Sequence, residues 1–422
     1  MTPSPSFLLL LLLLLSLQGQ PAQAEEEDTT LELVQMLYRH GDRSPILMYP
    51  TDPHKNVSAL WPAGLGQLTK RGKVMQYGLG RWLRNRYEAL VGPAWVPGEL
   101  NVLSTDVDRT LMSAACNLAS FYYPKEPNER FEADLPWVPT PIHTVPAAYD
   151  KLLSVDEACP RVFLEEKRVQ ELPEVKKVIE ANQDLFKFVT EKSGVTVDNV
   201  TTLSYLFDTL YIESLYNLTL PNWAKEVHDR MKEINNFSFK LMAYTQELKR
   251  LRAGPLIKEF GHNMKVRTAG NASQTKMFMY SGHDKTVASL LEGLGVFNGV
   301  APPYIATVLV ELHRVNDQHY VKMYYCNDTA MTEAPHPLIL PGCSERCPLD
   351  KWLALTASVV PQNMDKECHS PSPFDLPLNA LAATSAAIAL GVLLLILVTY
   401  NLITRHHQKS HFAYQAVPSS SP

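Results

Sequence analysis

The sequence predicts an α/β fold, a doubly wound mixed sheet with an inserted helical subdomain, followed by one C-terminal transmembrane helix. Strand-like apolar runs alternate with amphipathic helical runs in residues 25–159 and again in residues 265–368, an alternation typical of α/β sheets. Residues 160–264 carry helical patterns with no strand pattern between them, which indicates an inserted subdomain. Residues 378–404 contain no charge and are long enough to span a bilayer.

The composition is that of a globular protein with no affinity for nucleic acid. The 422 residues are 45% hydrophobic and 20% charged, which is enough apolar material for one large or two ordinary domains. The net charge is −5 and no region forms a basic stripe. Nucleic acid is therefore excluded as the expected partner.

Residues 1–24 are predicted to be a secretory signal peptide. Residues 7–17 form a short apolar run, and Ala22-Gln23-Ala24 has the small-x-small pattern of a cleavage site. The leading MTPSPS lacks the usual lysine or arginine, but eleven apolar residues are too few to span a bilayer. The mature chain is expected to begin at Glu25.

The C-terminal end is predicted to be a linker at residues 369–377, the transmembrane helix and a cytosolic tail at residues 405–422. Asp375 precedes the span, whereas a cationic cluster follows it, formed by Arg405, His406, His407 and Lys409. The positive-inside rule then predicts a type I orientation. Tyr414 and Val417 resemble a tyrosine sorting signal that adaptors capture for lysosomal delivery, although such a tetrapeptide also occurs by chance.

Sequons and cysteines support a lumenal location for residues 25–375. Six Asn-x-Ser/Thr sequons lie before the span, at Asn56, Asn199, Asn217, Asn236, Asn271 and Asn327. All six cysteines lie in the same region, where disulfides are the default. Cys343 and Cys347 favour a local disulfide, because the alternative of a metal half-site lacks a second ligand pair at zinc spacing.

The first α/β segment is predicted to contain a strand at residues 31–37, a helix at 70–90, a strand at 100–103 and a helix at 107–121. The strands are apolar runs, and the helices have apolar side chains at helical spacing. Thr69 is a suitable N-cap for the first helix. The second helix is expected to take its cap from Ser104, Thr105 or Asp106.

The second α/β segment is predicted to contain a strand at residues 276–281, a helix at 286–294 and a strand pair at 307–313 and 320–326. Asn316-Asp317 is expected to join this last pair of strands. The segment therefore completes the sheet after the helical insertion.

The strongest candidate for chemistry is the loop LYRHGDRSP at residues 37–45, which begins where the first strand ends. His40 lies between Arg39 and Arg43, whose charges disfavour its protonated form, so the imidazole stays neutral and nucleophilic. Guanidinium groups also match phosphate oxygens bidentately. The loop therefore predicts a phosphoryl site, whereas a single RHG tripeptide in isolation is equally compatible with a surface turn.

His283 and Asp284 follow another predicted strand, so they are expected to reach the same edge of the sheet as His40. His40, Asp42, His283 and Asp284 have the residue types of a metallophosphatase, but the two arginines beside His40 would repel a divalent cation. The chain has no Cys-x5-Arg loop and no Gly-x-Ser-x-Gly elbow. Covalent catalysis remains, with His40 as nucleophile and Asp284 as proton donor at acidic pH.

Six segments, in this order, resemble the histidine acid phosphatases, in particular their lysosomal and prostatic members. They are YRHGDRSP, WPAGLGQLT, STDVDRTLMSA, PIHTVP, YSGHD and PGCSERCPL, and the resemblance covers residues 31–368. It implies a phosphate monoesterase with a phosphoglycerate-mutase-like domain, a helical cap, a homodimer and no cofactor or metal. It also implies that Arg39, Arg43 and His283 bind the phosphoryl group.

Two departures from the family accompany this resemblance. Leu103 stands where the family has an arginine before Ser-Thr-Asp, which is taken to be a third phosphate ligand. Arg109 is the nearest substitute, but we expect its reach to be insufficient and a salt bridge to be its role. The family's disulfides match Cys159 with Cys368 and Cys343 with Cys347, while its third pair falls at Ile212 and Thr307.

Two functions remain open. The first is an active acid phosphatase of the lysosomal membrane or the cell surface. The second is a glycoprotein of the same fold with a weakened site and a binding role, for which Leu103 is the supporting feature. Cys116 and Cys326 are left to pair with each other or to stay free.

Overall fold

The computed structural model describes residues 30–270, 274–369 and 388–405. The chain divides into two units, Met1–His369 and Ser370–Pro422. Several predicted features lie outside the described residues: the signal peptide, Asn271, the linker after His369, the first ten residues of the predicted span, and the tail with Tyr414 and Val417.

The first unit contains an eight-stranded mixed sheet. Its strands are β1 (Leu31–Arg39), β2 (Leu100–Thr105), β3 (His143–Val145), β4 (Met277–Gly282), β5 (Thr307–Val315), β6 (Gln318–Cys326), β7 (His336–Leu338) and β8 (Cys347–Pro348). The strand order is β3-β2-β4-β1-β5-β6-β7, and β8 also pairs with β6. The pairs from β3 to β1 are parallel, and those from β1 onwards are antiparallel.

The helices of the first unit are α1 (Val57–Leu60), α2 (Lys70–Arg86), α3 (Asp108–Phe121), α4 (Val155–Ala158), α5 (Pro160–Gln170), α6 (Pro173–Ala181), α7 (Gln183–Ser193), α8 (Val200–Leu215), α9 (Asn222–Leu241), α10 (Gln246–Leu248), α11 (Gly254–Thr268), α12 (Asp284–Gly293), α13 (Leu349–Thr356) and α14 (Met364–Glu367). Short 3-10 turns occur at Pro127–Glu129 and Ala147–Tyr149, and a π-helical turn at Lys249–Ala253 precedes α11.

The sheet is covered by helices on both faces, which confirms the predicted doubly wound mixed sheet. Leu33 and Leu37 of β1 join one core with α11, α12 and α13, whereas Val34, Met36 and Tyr38 join a second core with α2 and α3. Successive strand side chains point to opposite faces, so one apolar run supplies both cores.

The helical region has its own core. Side chains of α5 to α9 cluster with Leu248 and Leu251, whereas Ala253 and the apolar side of α11 belong to a core of the sheet. The predicted boundary after residue 264 thus falls inside α11. Between α4 and β4, the described residues contain helices and no strand.

Local signals account for several element boundaries. Thr69 caps α2 as predicted, its side chain accepting a hydrogen bond from the Gly72 amide. The prediction that Ser104 or Thr105 caps α3 is wrong, because both continue β2 in pairing with its neighbours. Val107 takes the N-cap position without a side-chain bond.

The strand pair β5 and β6 is joined as predicted. Asn316 and Asp317 have φ angles of 49° and 59°, and the strands pair from Thr307 with Cys326 to Val315 with Gln318. Positive φ at both central residues is the geometry of a type I′ hairpin turn, which Asn and Asp tolerate.

Two disulfides are formed in the first unit. Cys159 is bonded to Cys368 in the helical core, and Cys343 is bonded to Cys347 beside β8. Cys116 and Cys326 are free thiols. In the second unit, helix α15 (Ile388–Arg405) has 18 residues and a mean hydropathy of 2.0, so by length and composition it can cross a membrane.

Candidate active site

The loop that carries His40 leaves the sheet where β1 and β4 end side by side. Arg39 is paired with Gly282 in the parallel register, and the His40 amide donates to the Gly282 carbonyl. Gly41 makes a close approach to α2: a Cβ there would lie 2.3 Å from the Gly72 carbonyl oxygen. Glycine is therefore required for the loop to turn against the helix.

The tautomer of His40 is set by the backbone carbonyl of the next residue, Gly41. Its Nδ1 lies 2.8 Å from the Gly41 carbonyl oxygen, which only accepts, so Nδ1 carries the proton. Nε2 consequently holds the lone pair. Burial lowers the pKa of His40 well below its usual value, and the charges of Arg39 and neighbouring basic groups lower it further. The predicted neutral imidazole is in keeping with this shift, although burial contributes more than the adjacent arginines.

His283 lies opposite His40, with the two ring centroids 5.6 Å apart. Its Nε2 is 3.0 Å from the Thr105 hydroxyl, and its Nδ1 is 3.4 Å from Nη2 of Arg109. Because a guanidinium only donates, Nδ1 accepts and Nε2 carries the proton. Burial, followed by Arg109, lowers the pKa of His283 to about 3, so this ring is also neutral.

Arg39 is held by three partners. One guanidinium nitrogen lies 2.8 Å from an oxygen of Asp284, and another donates to the Pro302 carbonyl at 2.7 Å. The guanidinium carbon lies 4.2 Å above the Tyr304 ring. Burial opposes ionisation of Asp284, but Arg39 and Arg43 outweigh it and lower the pKa of this carboxyl to about 2.

Arg43 is paired with a residue that the sequence did not single out. Its two terminal nitrogens donate to the Asp208 carboxylate at 2.9 and 3.1 Å, and Asp208 belongs to α8 in the helical region. The two residues are 165 positions apart. In the sequence, Asp208 is an acid at one position of a predicted helix, and its spacing carries no sign of this contact.

Arg109, and not residue 103, lies beside His283 in the cavity. Arg109 begins the first turn of α3 and lines the same cavity as His40, so the expectation that it cannot reach is wrong. The salt bridge expected for it is also absent, since no carboxylate among the described residues lies within ion-pair distance. Burial and then Arg43 lower its pKa to about 10, and it remains a cation.

Leu103 does not face the cavity. It pairs with Tyr280 in β4 and with His143 in β3, and its side chain packs against a core of the sheet. An arginine at this position would start within the sheet, two residues before the end of β2. The interpretation of Leu103 as a lost phosphate ligand is therefore wrong.

Asp42 points away from the two histidines. Its carboxylate accepts hydrogen bonds of 2.5 Å from the Thr69 hydroxyl and from the Tyr216 hydroxyl. These bonds tie the loop to the start of α2 and to the end of α8. Asp42 thus has a positioning role, which weakens the metallophosphatase alternative that counted it as a ligand.

The site opens into a cavity of about 580 Å³. Its base is formed by Arg39, His40, Arg43, Arg109, His283 and Asp284. The side walls come from α8, from α9 and from residues 300–303, and they also include Asn327. The helical region, whose position the sequence left open, therefore supplies most of the surface that a leaving group would meet.

The fold and this arrangement define a histidine phosphatase. The family described as histidine phosphatase superfamily, branch 2, matches residues 30–326. The chain belongs to this family, which confirms the resemblance drawn from the sequence.

Curated relatives place the chain among the acid phosphatases. Lysosomal acid phosphatase of Bos taurus is 38% identical over 381 residues, which cover 88% of this chain and 89% of the relative. Prostatic acid phosphatase of Homo sapiens is 39% identical over 345 residues, covering 80% and 88%.

Solved structures share the fold at low sequence identity. The phytase of Hafnia alvei in complex with tartrate has a TM-score of 0.60 at 18% identity, covering 81% of this chain and 99% of that one. The phytase of Citrobacter braakii has a TM-score of 0.59 at 17% identity, covering 81% and 100%. At these identities the likeness establishes the fold alone.

Proposed function

We propose that this protein is an acid phosphatase that hydrolyses phosphate monoesters through a covalent phosphohistidine. The observation that carries the proposal is the pair formed by His40 Nδ1 and the Gly41 carbonyl, which leaves Nε2 as the nucleophilic nitrogen at the base of a cavity rich in arginines. The imidazole of His40 stays unprotonated, because its pKa is depressed. Arg39, Arg43, Arg109 and His283 surround the position that a phosphoryl group would take.

In the first step, Nε2 of His40 attacks phosphorus and the bond to the leaving oxygen breaks. Asp284 gives its proton to that oxygen, and the leaving group departs as a neutral alcohol. The cationic side chains stabilise the charge on the equatorial oxygens. In the second step, water attacks the phosphohistidine, Asp284 takes a proton from the water, and inorganic phosphate leaves with His40 restored.

Protonation of Asp284 requires the substrate to take part. A carboxyl with a pKa near 2 is ionised in the free enzyme at the pH of a lysosome. A bound phosphoryl group shares the positive charge of Arg39 and Arg43 and adds negative charge beside the carboxylate, and both effects raise its pKa. Asp284 can then accept the proton that the monoanionic form of the ester carries into the site.

The experiment that tests the mechanism is trapping of the intermediate. Native enzyme is mixed with an ester labelled on phosphorus and quenched in alkali, in which phosphohistidine survives. We expect label on His40 in the native protein and none in His40→Ala, with turnover lost and the fold retained. Label on another residue, or substantial turnover by a folded His40→Ala protein, contradicts the proposal.

The alternative function, a binding glycoprotein with a weakened site, has lost its supporting feature. It depended on Leu103 as a missing phosphate ligand, and Leu103 packs in the sheet. Arg109 supplies the third guanidinium of the cavity. We therefore retain the enzyme as the single proposed function.

We further propose that the enzyme is a type I glycoprotein of the lysosomal membrane. The predicted signal peptide, the sequons before the span and helix α15 support this orientation. If an adaptor reads Tyr414 and Val417, the Tyr414→Ala protein accumulates at the cell surface with its activity unchanged. Unaltered lysosomal delivery of this variant would contradict the sorting role.

A homodimer is the proposed assembly of the lumenal unit. Strand β3 ends the sheet, and exposed apolar side chains lie in the adjoining segment, including Phe131, 63% exposed, with its ring 6.0 Å from that of Trp137. An open strand edge beside apolar surface favours pairing with a second copy. Phe131→Glu should shift the sedimenting species from dimer to monomer, whereas an unchanged dimer would place the interface elsewhere.

A further inference from the structure

The cavity has a second polar region, which contains a lysine, on the wall formed by α9. His228, Lys232, Asn235 and Asn236 of this helix all line the cavity. They follow one another at intervals of four, three and one residues, so they lie along one face of the helix. This face is separate from the arginine cluster that holds the phosphoryl group at the base.

The charges of α9 are divided between its faces. The acidic residues of the helix, Glu226, Asp229 and Glu233, do not line the cavity, whereas two of its basic residues, His228 and Lys232, do. One carboxylate of the helix still bears on this side, because Asp229 Oδ1 lies 3.3 Å from Nδ1 of His228, so the donors left for a ligand are Lys232 and the two asparagines. This division occurs in a chain whose net charge is −5, so it does not follow from an overall excess of bases.

Lys232 is available to bind a ligand. It has no ion pair or hydrogen bond within the described part of the chain, whereas Lys285, another lysine of the cavity, is bound to Asp156. Asn236 is held in place by the Ala301 amide, which donates to its Oδ1 at 3.0 Å, so its NH₂ group remains a donor. Two acids of the cavity are already paired with arginines: Asp208 with Arg43, and Asp284 with Arg39.

Aromatic side chains of α8 lie between the arginine cluster at the base of the cavity and the wall formed by α9. Phe207 of α8 lies against His228, with ring centroids 5.3 Å apart, and is stacked with Tyr211 at 6.2 Å. Phe207 directly precedes Asp208, which contacts Arg43 at the base. A leaving group can therefore run along this apolar surface from the phosphoryl site towards α9.

From this geometry we propose that Lys232, Asn235 and Asn236 form an outer anion subsite that selects phosphate monoesters whose leaving group carries a second negative charge. The proposal rests on the proposed phosphatase activity and names its substrate class. The second charge is a carboxylate or a phosphate, since ammonium and amide donors bind both. Glu157 is the one cavity acid without an ion pair in the described residues, and it disfavours a second anion placed beside it.

The test compares matched substrates. One pair is fructose 1,6-bisphosphate and fructose 6-phosphate; the other is a phosphoserine peptide flanked by aspartates and the same peptide with asparagines. For each pair the selectivity is the ratio of the two kcat/KM values. We expect Lys232→Gln to lower this ratio about tenfold, mainly through KM, because a charge-assisted contact is lost. Lys232→Arg should restore most of it.

Two controls separate the possible failures. Lys240→Gln removes an exposed charge from the same helix outside the cavity and should leave the ratio unchanged. The native ratio should also fall as salt is raised, since the subsite is open to solvent. A fall with the bisphosphate pair alone identifies phosphate as the second anion, and a fall with the peptide pair alone identifies carboxylate. An unchanged ratio in both pairs overturns the subsite, whereas no hydrolysis of any ester, including phenyl phosphate, overturns the phosphatase itself.

Discussion

Arg39 holds Asp284 in an ion pair of 2.8 Å across the ends of two neighbouring strands. The same guanidinium borders the cavity in which a phosphoryl group would bind. Arg39 therefore has two possible anionic partners, and its response to substrate decides whether Asp284 can carry a proton. Asp284, the proposed proton donor, can therefore take up a proton when a phosphoryl group competes for Arg39, although its pKa is depressed in the free protein.

The first prediction concerns that proton. Asp284→Asn cannot protonate a leaving oxygen, so we expect kcat to fall by about 10² to 10⁴ with an alkyl phosphate. A nitrophenyl phosphate releases a stable anion and should lose far less. Steady-state kinetics with both esters measures the difference. An equal loss with the two substrates would assign Asp284 to binding and not to proton transfer.

The second prediction concerns the third arginine. Arg109→Leu removes a cation that faces His283, and we expect kcat/KM for phenyl phosphate to fall by about 10 to 150-fold. Leu103→Arg, which introduces the arginine that the family has at this position, should give no increase, because residue 103 packs against a core of the sheet. A rise with Leu103→Arg, or full activity in Arg109→Leu, would reverse this assignment.

The third prediction concerns stability against pH. Glu213 and Asp52 are both buried, and neither oxygen of Glu213 has a hydrogen-bond partner in the described structure. Burial and the adjacent Asp52 raise the pKa of Glu213 to about 8, and burial, followed by these two carboxyls, raises the pKa of Tyr49 beside them. The pKa of Glu213 in the folded protein exceeds its unfolded value near 4.5. The contribution of Glu213 to the free energy of unfolding is therefore fully present below about pH 4.5 and is lost as the pH rises towards 8.

Thermal unfolding at pH 5, 6.5 and 8 measures this effect. Glu213→Gln stays neutral, so its Tm should exceed that of the native protein at pH 8 and differ less at pH 5. Glu180→Gln, an exposed residue of α6, serves as the control and should follow the native curve. A native protein whose Tm is higher at pH 8 than at pH 5, with no change in Glu213→Gln, would contradict the assignment.

The fourth prediction concerns glycosylation. Asn56 and Asn217 are exposed, whereas Asn236 lines the cavity and accepts a bond from Ala301. A glycan on Asn236 would occupy the space that a leaving group needs. Peptide mapping of the active, secreted lumenal unit should find glycans on the two exposed sequons and an unmodified Asn236. Full occupancy of Asn236 in a protein with normal kcat/KM would show that this wall of the cavity is not used.

Local patterns were sufficient for the main strands and helices of the two α/β segments and for the placement of His40 and His283, whereas β3, β7 and β8 were not predicted. Apolar runs predicted β1 and β4, and a polar cluster after each strand placed His40 and His283 at one edge, because parallel strands end together. The Thr69 cap and the Asn316-Asp317 turn were predictable for a different reason. Each is a contact between residues close in sequence, so spacing alone contains the information.

The tertiary structure alone decided the partners of the arginines and the shape of the cavity. Asp208 binds Arg43 although the two residues are 165 positions apart. Arg109 reaches the site because β2 ends beside β4, so that α3, which follows β2, begins near His283. Leu103 was misassigned because position along the chain does not show that its side chain enters a core. Such contacts depend on how helices pack over a sheet edge, and packing of distant segments is set by the summed fit of many side chains, which no local spacing records.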